Sequence, residues 1–190
     1  MLEKQKKQTK AERTREAILS AARILFAERG YDGATVRDIA ARAGIDPAMV
    51  IRYFGGKDML FVQAADLDLR LPDLSDVPGD AIGETLVRHF LAIWETGGAA
   101  GGLPVALRSA ASNELAAGRL REIFATQVAP ALARAPGIRP GPLAGLVASQ
   151  LLGLAFCRYV LKLPPVVVIP PETLVIEVGR SVQSLFDAAR

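Results

Sequence analysis

The stretch Asp46-Pro47-Ala48-Met49-Val50-Ile51-Arg52-Tyr53-Phe54 carries the side chains with the clearest chemical purpose. Asp46 is a good N-cap, and Pro47 suits a first helical position, where a missing N–H costs nothing. Gly55-Gly56 ends the rod. Helical spacing turns Val50, Tyr53 and Phe54 inward and leaves Ala48, Met49, Ile51 and Arg52 on the other side. Methionine and isoleucine displayed on a two-turn helix need a cover. A DNA major groove, wide enough for a helix and lined with thymine methyls, provides one.

Other chemistries are poorly supplied. His89 is the single histidine and Cys157 the single cysteine, so the ligand sets of zinc fingers and zinc hydrolases are missing and no intrachain disulfide can form. No nucleophile or orienting acid stands at a recognisable spacing from His89, which falls beside Phe90 and near Trp94 on an apolar helix face. Gly97–Gly102 lacks both a preceding strand and a Gly-Lys-Ser/Thr ending, so it reads as a linker and not a phosphate loop. The chain is read as non-enzymatic, with no cofactor and no metal. Cys157 reads as a small buried hydrophobe, and Arg88 and Glu95 as surface charges.

The elements that must position Met49 and Ile51 are helical. Ile18, Ala21, Ala22, Leu25 and Phe26 make one stripe over a helix of about Thr14 to Arg29. Gly30 ends it, with a turn over Tyr31-Asp32-Gly33. Thr35, with Asp38 three residues on, opens a second short helix that ends at Gly44. Three helices, the last two joined by a tight turn, make a helix-turn-helix over 35–54 inside an N-terminal domain 1–57. A fourth helix is expected from Asp58 to Leu71. The body, 58–190, should continue with helices at about Asp80–Glu95, Leu103–Ser112, Asn113–Ala135, Pro140–Leu163 and Glu172–Ala189. Prolines around Val166–Ile169 argue for an extended linker over a short strand. The fold class is all-α, about nine helices.

Charge follows the same division. Residues 1–58 hold twelve Lys/Arg and eight Asp/Glu, net +4, while the whole chain is +3. A positive module on a near-neutral body suits a polyanion partner for that module alone; a solvated basic tail, Lys4 to Lys10, explains the same excess. No apolar core of export-signal type follows the basic start, and the cytoplasm is the expected compartment. Leu143 to Cys157 is apolar except for Ser149 and Gln150, but at fifteen residues it is shorter than the ~20 that cross a bilayer. It reads as a buried or partner-facing helix, with no membrane partner.

The stretch Ala17-Ile18…Leu25-Phe26…Gly30-Tyr31…Thr35-Val36-Arg37-Asp38-Ile39-Ala40…Ala43-Gly44-Ile45…Arg52-Tyr53-Phe54…Lys57-Asp58-Met59-Leu60 resembles the TetR/AcrR family of transcriptional regulators. The resemblance implies a homodimer paired through the last two long helices, an effector cavity in the body and a palindromic double-stranded operator. It also implies residue roles. Thr35 would meet a phosphate, and Arg37 a guanine edge or the backbone. Pro47, Ala48 and Met49 would begin the groove-facing helix, with phosphate contacts from Tyr53 and Lys57. Where the family usually shows a tyrosine, this chain has Ile51, which could pack on a thymine methyl while Arg52 restores a phosphate contact. The basic arm could reach a minor groove or only hover over phosphates.

In the aromatic-poor body Phe61, Phe90, Trp94, Phe124, Phe156 and Tyr159 are among the large rings. Most such rings fill cores, but they can also line a ligand cavity, with His89, Gln127 or Tyr159 giving one or two hydrogen bonds to a mostly apolar effector. The competing readings are a helical small-molecule-binding module and an architectural DNA binder without effector control.

Overall fold

The computed structural model describes residues 9–95, 102–138 and 141–189. The basic residues Lys4, Lys6 and Lys7, residues 97–101 of the glycine-rich linker and Pro140 lie outside them. Among the described residues there is no strand. The eleven helical segments make ten rods, because two of them run on through a π turn.

The reader is built from α1 (Lys10–Gly33), α2 (Val36–Ala43) and α3 (Pro47–Phe54). The first begins four residues earlier than Thr14: the Thr9 hydroxyl accepts the Glu12 N–H at 3.2 Å, and Glu12 accepts the Thr9 N–H at 2.7 Å. Lys10 is therefore helical and not part of a tail. At Gly30 the backbone turns to φ 72°, a left-handed conformation that glycine adopts at little cost. Ile18, Ala22, Phe26, Ile39 and Val50 are wholly buried in one core.

Helix α4 (Lys57–Ala64) stops well short of Leu71. In Asp66-Leu67-Asp68-Leu69-Arg70-Leu71 polar and apolar residues alternate, which is the period of extended chain and not of a helix. Leu67 and Leu69 are buried accordingly. The buried face of α4, Leu60, Phe61 and Ala64, packs into the reader core together with Val105 and Ala106. That core therefore continues past residue 57.

The body comprises α5 (Ile82–Glu95), α6 (Gly102–Ser109), α7 (Glu114–Ile123) running through a π turn (Phe124–Val128) into α8 (Ala129–Leu132), and α9 (Leu143–Ala155) with its own π turn (Phe156–Val160). Next come α10 (Pro164–Val167) and α11 (Pro171–Ala188). Residues 166–169 are thus neither strand nor extended linker. Pro164 occupies a first helical position. The Arg158 guanidinium, 10% exposed, then satisfies the carbonyls of Val166 (2.8 Å), Val167 (3.1 Å) and Ile169 (3.0 Å). Its other nitrogen reaches Glu95 at 3.2 Å, so Glu95 is an exposed charge that also serves as an ion-pair partner. Cys157 is only partly buried.

Helices α5 and α11 touch backbone to backbone. A Cβ on Gly83 would stand 2.1 Å from the Gly179 carbonyl oxygen. Gln183 completes the seam, accepting the Gly83 N–H at 2.9 Å and donating to the Gly79 carbonyl at 2.8 Å. The outer face of α9 is different. Leu143–Val160 is 18 residues, apolar and long enough by composition to cross a membrane, with 17% of it buried in the protomer. Leu146, Leu152 and Phe156 lie exposed along it.

Gly83→Ala should therefore destabilise the chain by about 3 kcal/mol, the upper end of overpacking costs, because rigid backbone opposes the methyl. Gly145→Ala, where nothing lies within 4 Å of the added carbon, should cost nothing in the same urea titration of the protomer fold.

Candidate nucleic-acid interface and body cavity

The two reader helices are fixed at both ends by local hydrogen bonds. The Thr35 hydroxyl accepts the Asp38 N–H at 3.1 Å and donates to the Asp38 carboxylate at 2.7 Å, which also accepts the Thr35 N–H at 3.2 Å. This reciprocal cap engages the hydroxyl proton of Thr35, so a phosphate reaching Thr35 must compete with Asp38. At the far end Gly44 is left-handed, φ 69°, and the Ile45 N–H reaches back to the Ala40 carbonyl at 3.0 Å. One residue later Asp46 accepts the Ala48 N–H at 2.7 Å and starts α3.

On α3, Val50 and Phe54 are buried and Tyr53 is half-buried, while Pro47, Ala48 and Arg52 are exposed and Met49 is half-buried. Ile51 is 50% exposed. The face that the spacing assigned to a partner is thus the uncovered one. Arg37, Arg42 and Arg52 are exposed beside it, and none forms an ion pair among the described residues. Sequence reasoning did not single out Arg42, which stands in the last turn of α2.

It also passed over Tyr31. The Lys57 ammonium lies 4.2 Å from the centre of the Tyr31 ring, a cation–π distance. The Tyr31 hydroxyl donates to Asp58. Burial and that carboxylate push the Tyr31 phenol up to about 12. Behind Lys57, the same ring stacks on Phe26 and meets Phe61 edge-on. Arg15 lies over the Phe54 ring, 5.1 Å from its centre, and bonds Gln63.

The body holds a partly open cavity of about 120 Å³ lined by seventeen residues, hydrophobic except for His89. His89, Phe90, Trp94 and Phe124 stand on its wall. Gln127 and Tyr159 stand behind it: Gln127 holds Leu67 and Leu69 through their backbone, and the Tyr159 ring stacks on Trp94 at 4.6 Å. Two expectations are corrected. Phe61 is wholly buried in the reader core against Phe26, and Phe156 is 39% exposed on the outer side of the π turn after α9. Leu69 and Leu71 line the cavity instead, brought there by the alternating connector. Among the described residues no group of three or more His, Cys, Asp or Glu could hold a metal.

A helix-turn-helix with an uncovered apolar and basic face, carried on a helical body around an apolar cavity, is the architecture of a one-component regulator. Residues 18–64 match the family described as bacterial regulatory proteins, tetR family, and residues 80–186 the tetracyclin repressor-like C-terminal domain. The chain belongs to the tetR family. A TetR-family regulator from Streptomyces coelicolor A3 is 32% identical, covering 96% of this chain and 99% of that one, with a TM-score of 0.55. The HTH-type transcriptional repressor Rv3405c of Mycobacterium tuberculosis is 42% identical over 90 residues, 46% of this chain and 48% of its own. The match thus spans about half the length of such curated relatives. The fold is shared with AibR, solved in complex with isovaleryl coenzyme A and operator DNA, at 20% identity, 92% and 98% coverage and a TM-score of 0.61.

The Thr35–Asp38 cap has a pH signature. Thr35 holds the Asp38 carboxyl below its ordinary 3.8, through its hydroxyl first and its N–H second, helped by Arg29. The cap's contribution is therefore complete above the ordinary carboxylate range and fades as pH falls through the lower folded value. Thr35→Ala should cost about 1 kcal/mol near neutrality. In Asp38→Asn the acid-side loss of stability should be shallower than in the parent chain, read by urea unfolding across the acidic range.

Proposed function

We propose that this chain is a DNA-binding transcriptional repressor that acts as a homodimer in the cytoplasm and leaves a palindromic operator when a small, mostly apolar effector fills its body. The observation that carries the reading is Ile51, half exposed on a helix whose opposite face, Val50 and Phe54, is fully committed to the core. Each protomer seats α3 in a major groove, Met49 and Ile51 against base edges and thymine methyls, with Pro47 and Ala48 at the entry. Arg37 takes a guanine edge or the backbone. Thr35, Arg52, Tyr53 and Lys57 take phosphates, Lys57 from its seat on Tyr31. Residues 1–57 carry the DNA-facing groups and 58–190 the effector and dimer surfaces, α4 being shared by both. No catalytic function is assigned.

The repressor name of Rv3405c and the ligand-and-operator complex of AibR support the same reading. For the dimer, the supporting surface is the outer side of α9 and α11. Leu146, Phe156 and Ile176 are exposed there, and Gly145 and Gly153 leave room for a close helix crossing. His89, Phe90, Trp94 and Phe124 form the effector wall.

Selection from random DNA should return a two-fold palindrome. Within it, replacing thymine by uracil under Met49 and Ile51 should weaken binding about four-fold for each methyl removed from a dry interface. Lys57→Gln should lower the slope of log affinity against log salt by about 0.9 for each phosphate that the protein no longer neutralises. Binding without sequence preference, or affinity indifferent to uracil, would remove the groove assignment of α3.

A further inference from the structure

Three polar side chains stand around the body cavity, and each already makes a hydrogen bond within the protein. Gln127 donates from Nε2 to the Leu67 carbonyl at 2.7 Å and accepts the Leu69 N–H on Oε1 at 2.8 Å. His89 Nε2 lies 2.8 Å from the Leu69 carbonyl oxygen. A carbonyl can only accept, so that nitrogen carries a proton and donates it. The Tyr159 hydroxyl donates to Glu95 at 3.2 Å. Two arginines of the body are engaged as well. Arg158 is held by Glu95 and the three carbonyls around α10, and Arg119 by Asp66 and Glu122. The cavity wall contains no lysine or arginine.

From this geometry we infer that the cavity takes an uncharged, hydrocarbon-like molecule about the size of one small ring, and that Gln127 and His89 grip the Leu67–Leu71 connector instead of the ligand. The inference rests on the effector reading of the cavity and names the chemistry of its occupant. A carboxylate or phosphate placed there would lose its water and meet no lysine or arginine on the wall, with little more than the Trp94 indole N–H to replace it, so desolvation disfavours it. An apolar ring loses nothing. Dry cavities lined by Leu, Ile and Phe with a volume of ~150 Å³ hold benzene, and this one measures about 120 Å³. The π turn Phe124–Val128 contains Gln127. Leu69 and Leu71, on the gripped segment, supply part of the apolar wall. An occupant therefore presses on the chain that leads directly back to α4.

Trp94 is the single tryptophan and lines the cavity, so its emission reports occupancy. Three matched probes, methylcyclohexane, cyclohexylmethanol and cyclohexanecarboxylate, are titrated into the full-length protein at neutral pH, where the last is ionised. The two neutral rings should change Trp94 emission saturably, and the carboxylate should bind at least ~30-fold more weakly. Carboxylate binding as tight as that of the alcohol would overturn the ligand class while leaving the cavity as the effector site. Failure of all three probes would remove both. Ala148→Phe, or the milder Ala148→Leu, should fill the space and abolish the neutral signal; an undiminished signal would place the probe elsewhere and overturn the site. Gln127→Leu should hold cyclohexylmethanol within about three-fold of the parent, because the hydrogen bonds it removes belong to the connector. A loss beyond ten-fold would make Gln127 a ligand-binding side chain and overturn that half of the inference.

Discussion

The reader meets the body through a shared apolar core pinned by one buried hydrogen bond, from the Tyr31 N–H to the Ser109 Oγ at 2.8 Å. Ser109 is 2% exposed, and a buried hydroxyl without a partner would be costly. The bond exists because Gly30 breaks α1 into a left-handed turn, which frees the Tyr31 N–H from the helix ladder and points it at α6. A Cβ at Gly30 would sit 3.5 Å from that same oxygen and carry a strained φ. With its backbone fixed, the Tyr31 ring closes the reader core on Phe26 and Phe61 and presents its outer face to Lys57, while its hydroxyl holds Asp58. A single residue thus joins the core of the reader, the body and the start of α4.

The reader was legible because its signals are local and agree with one another. Thr35 with Asp38, Gly44, Asp46-Pro47 and Gly55 each fix one helix boundary by cap chemistry, and all of those boundaries stand within a residue. The same rules, applied in full, find what was passed over. Thr9-Lys10-Ala11-Glu12 is the same box as Thr35–Asp38, with a better acid at its end. The Asp66–Leu71 alternation marks extended chain where a helix was continued by default. Pro164 marks a helix start, but α10 also depends on Arg158, whose guanidinium arrives from the preceding π turn, and no local pattern announces that.

The cavity was half legible for a different reason. Composition identifies rings, and spacing assigns them to a face, but which body a face belongs to is tertiary information. Phe61 lies on α4, whose inner side turned out to serve the reader core, so a cavity aromatic became a core aromatic. His89, Phe90 and Trp94 lie on α5, which has the cavity on its inner side. Polar residues were harder still. In sequence Gln127, His89 and Tyr159 offer hydrogen-bonding groups to a ligand, since nothing there shows that backbone groups 58 to 60 residues away already occupy Gln127.

That occupancy shapes how the body can respond. Two rigid paths leave the cavity and converge on one place. Leu69 and Leu71 lie on the connector, whose upstream end is α4. Leu103 lies at the start of α6, whose last residue, Ser109, is the acceptor for Tyr31. At 1.5 Å per residue the six steps from Leu103 to Ser109 span about 9 Å, a short rod between cavity wall and reader. Both paths end where Lys57 rests on Tyr31. A molecule that pushes Leu69 and Leu103 apart would move α4 and Tyr31 relative to each other, and with them the cation at the edge of the groove-facing surface. It could shift the reader only by as much as it prefers the spread arrangement. An apolar wall with its polar groups already engaged suits that task, because the ligand then acts through volume alone and leaves the hydrogen bonds of the connector to carry the displacement.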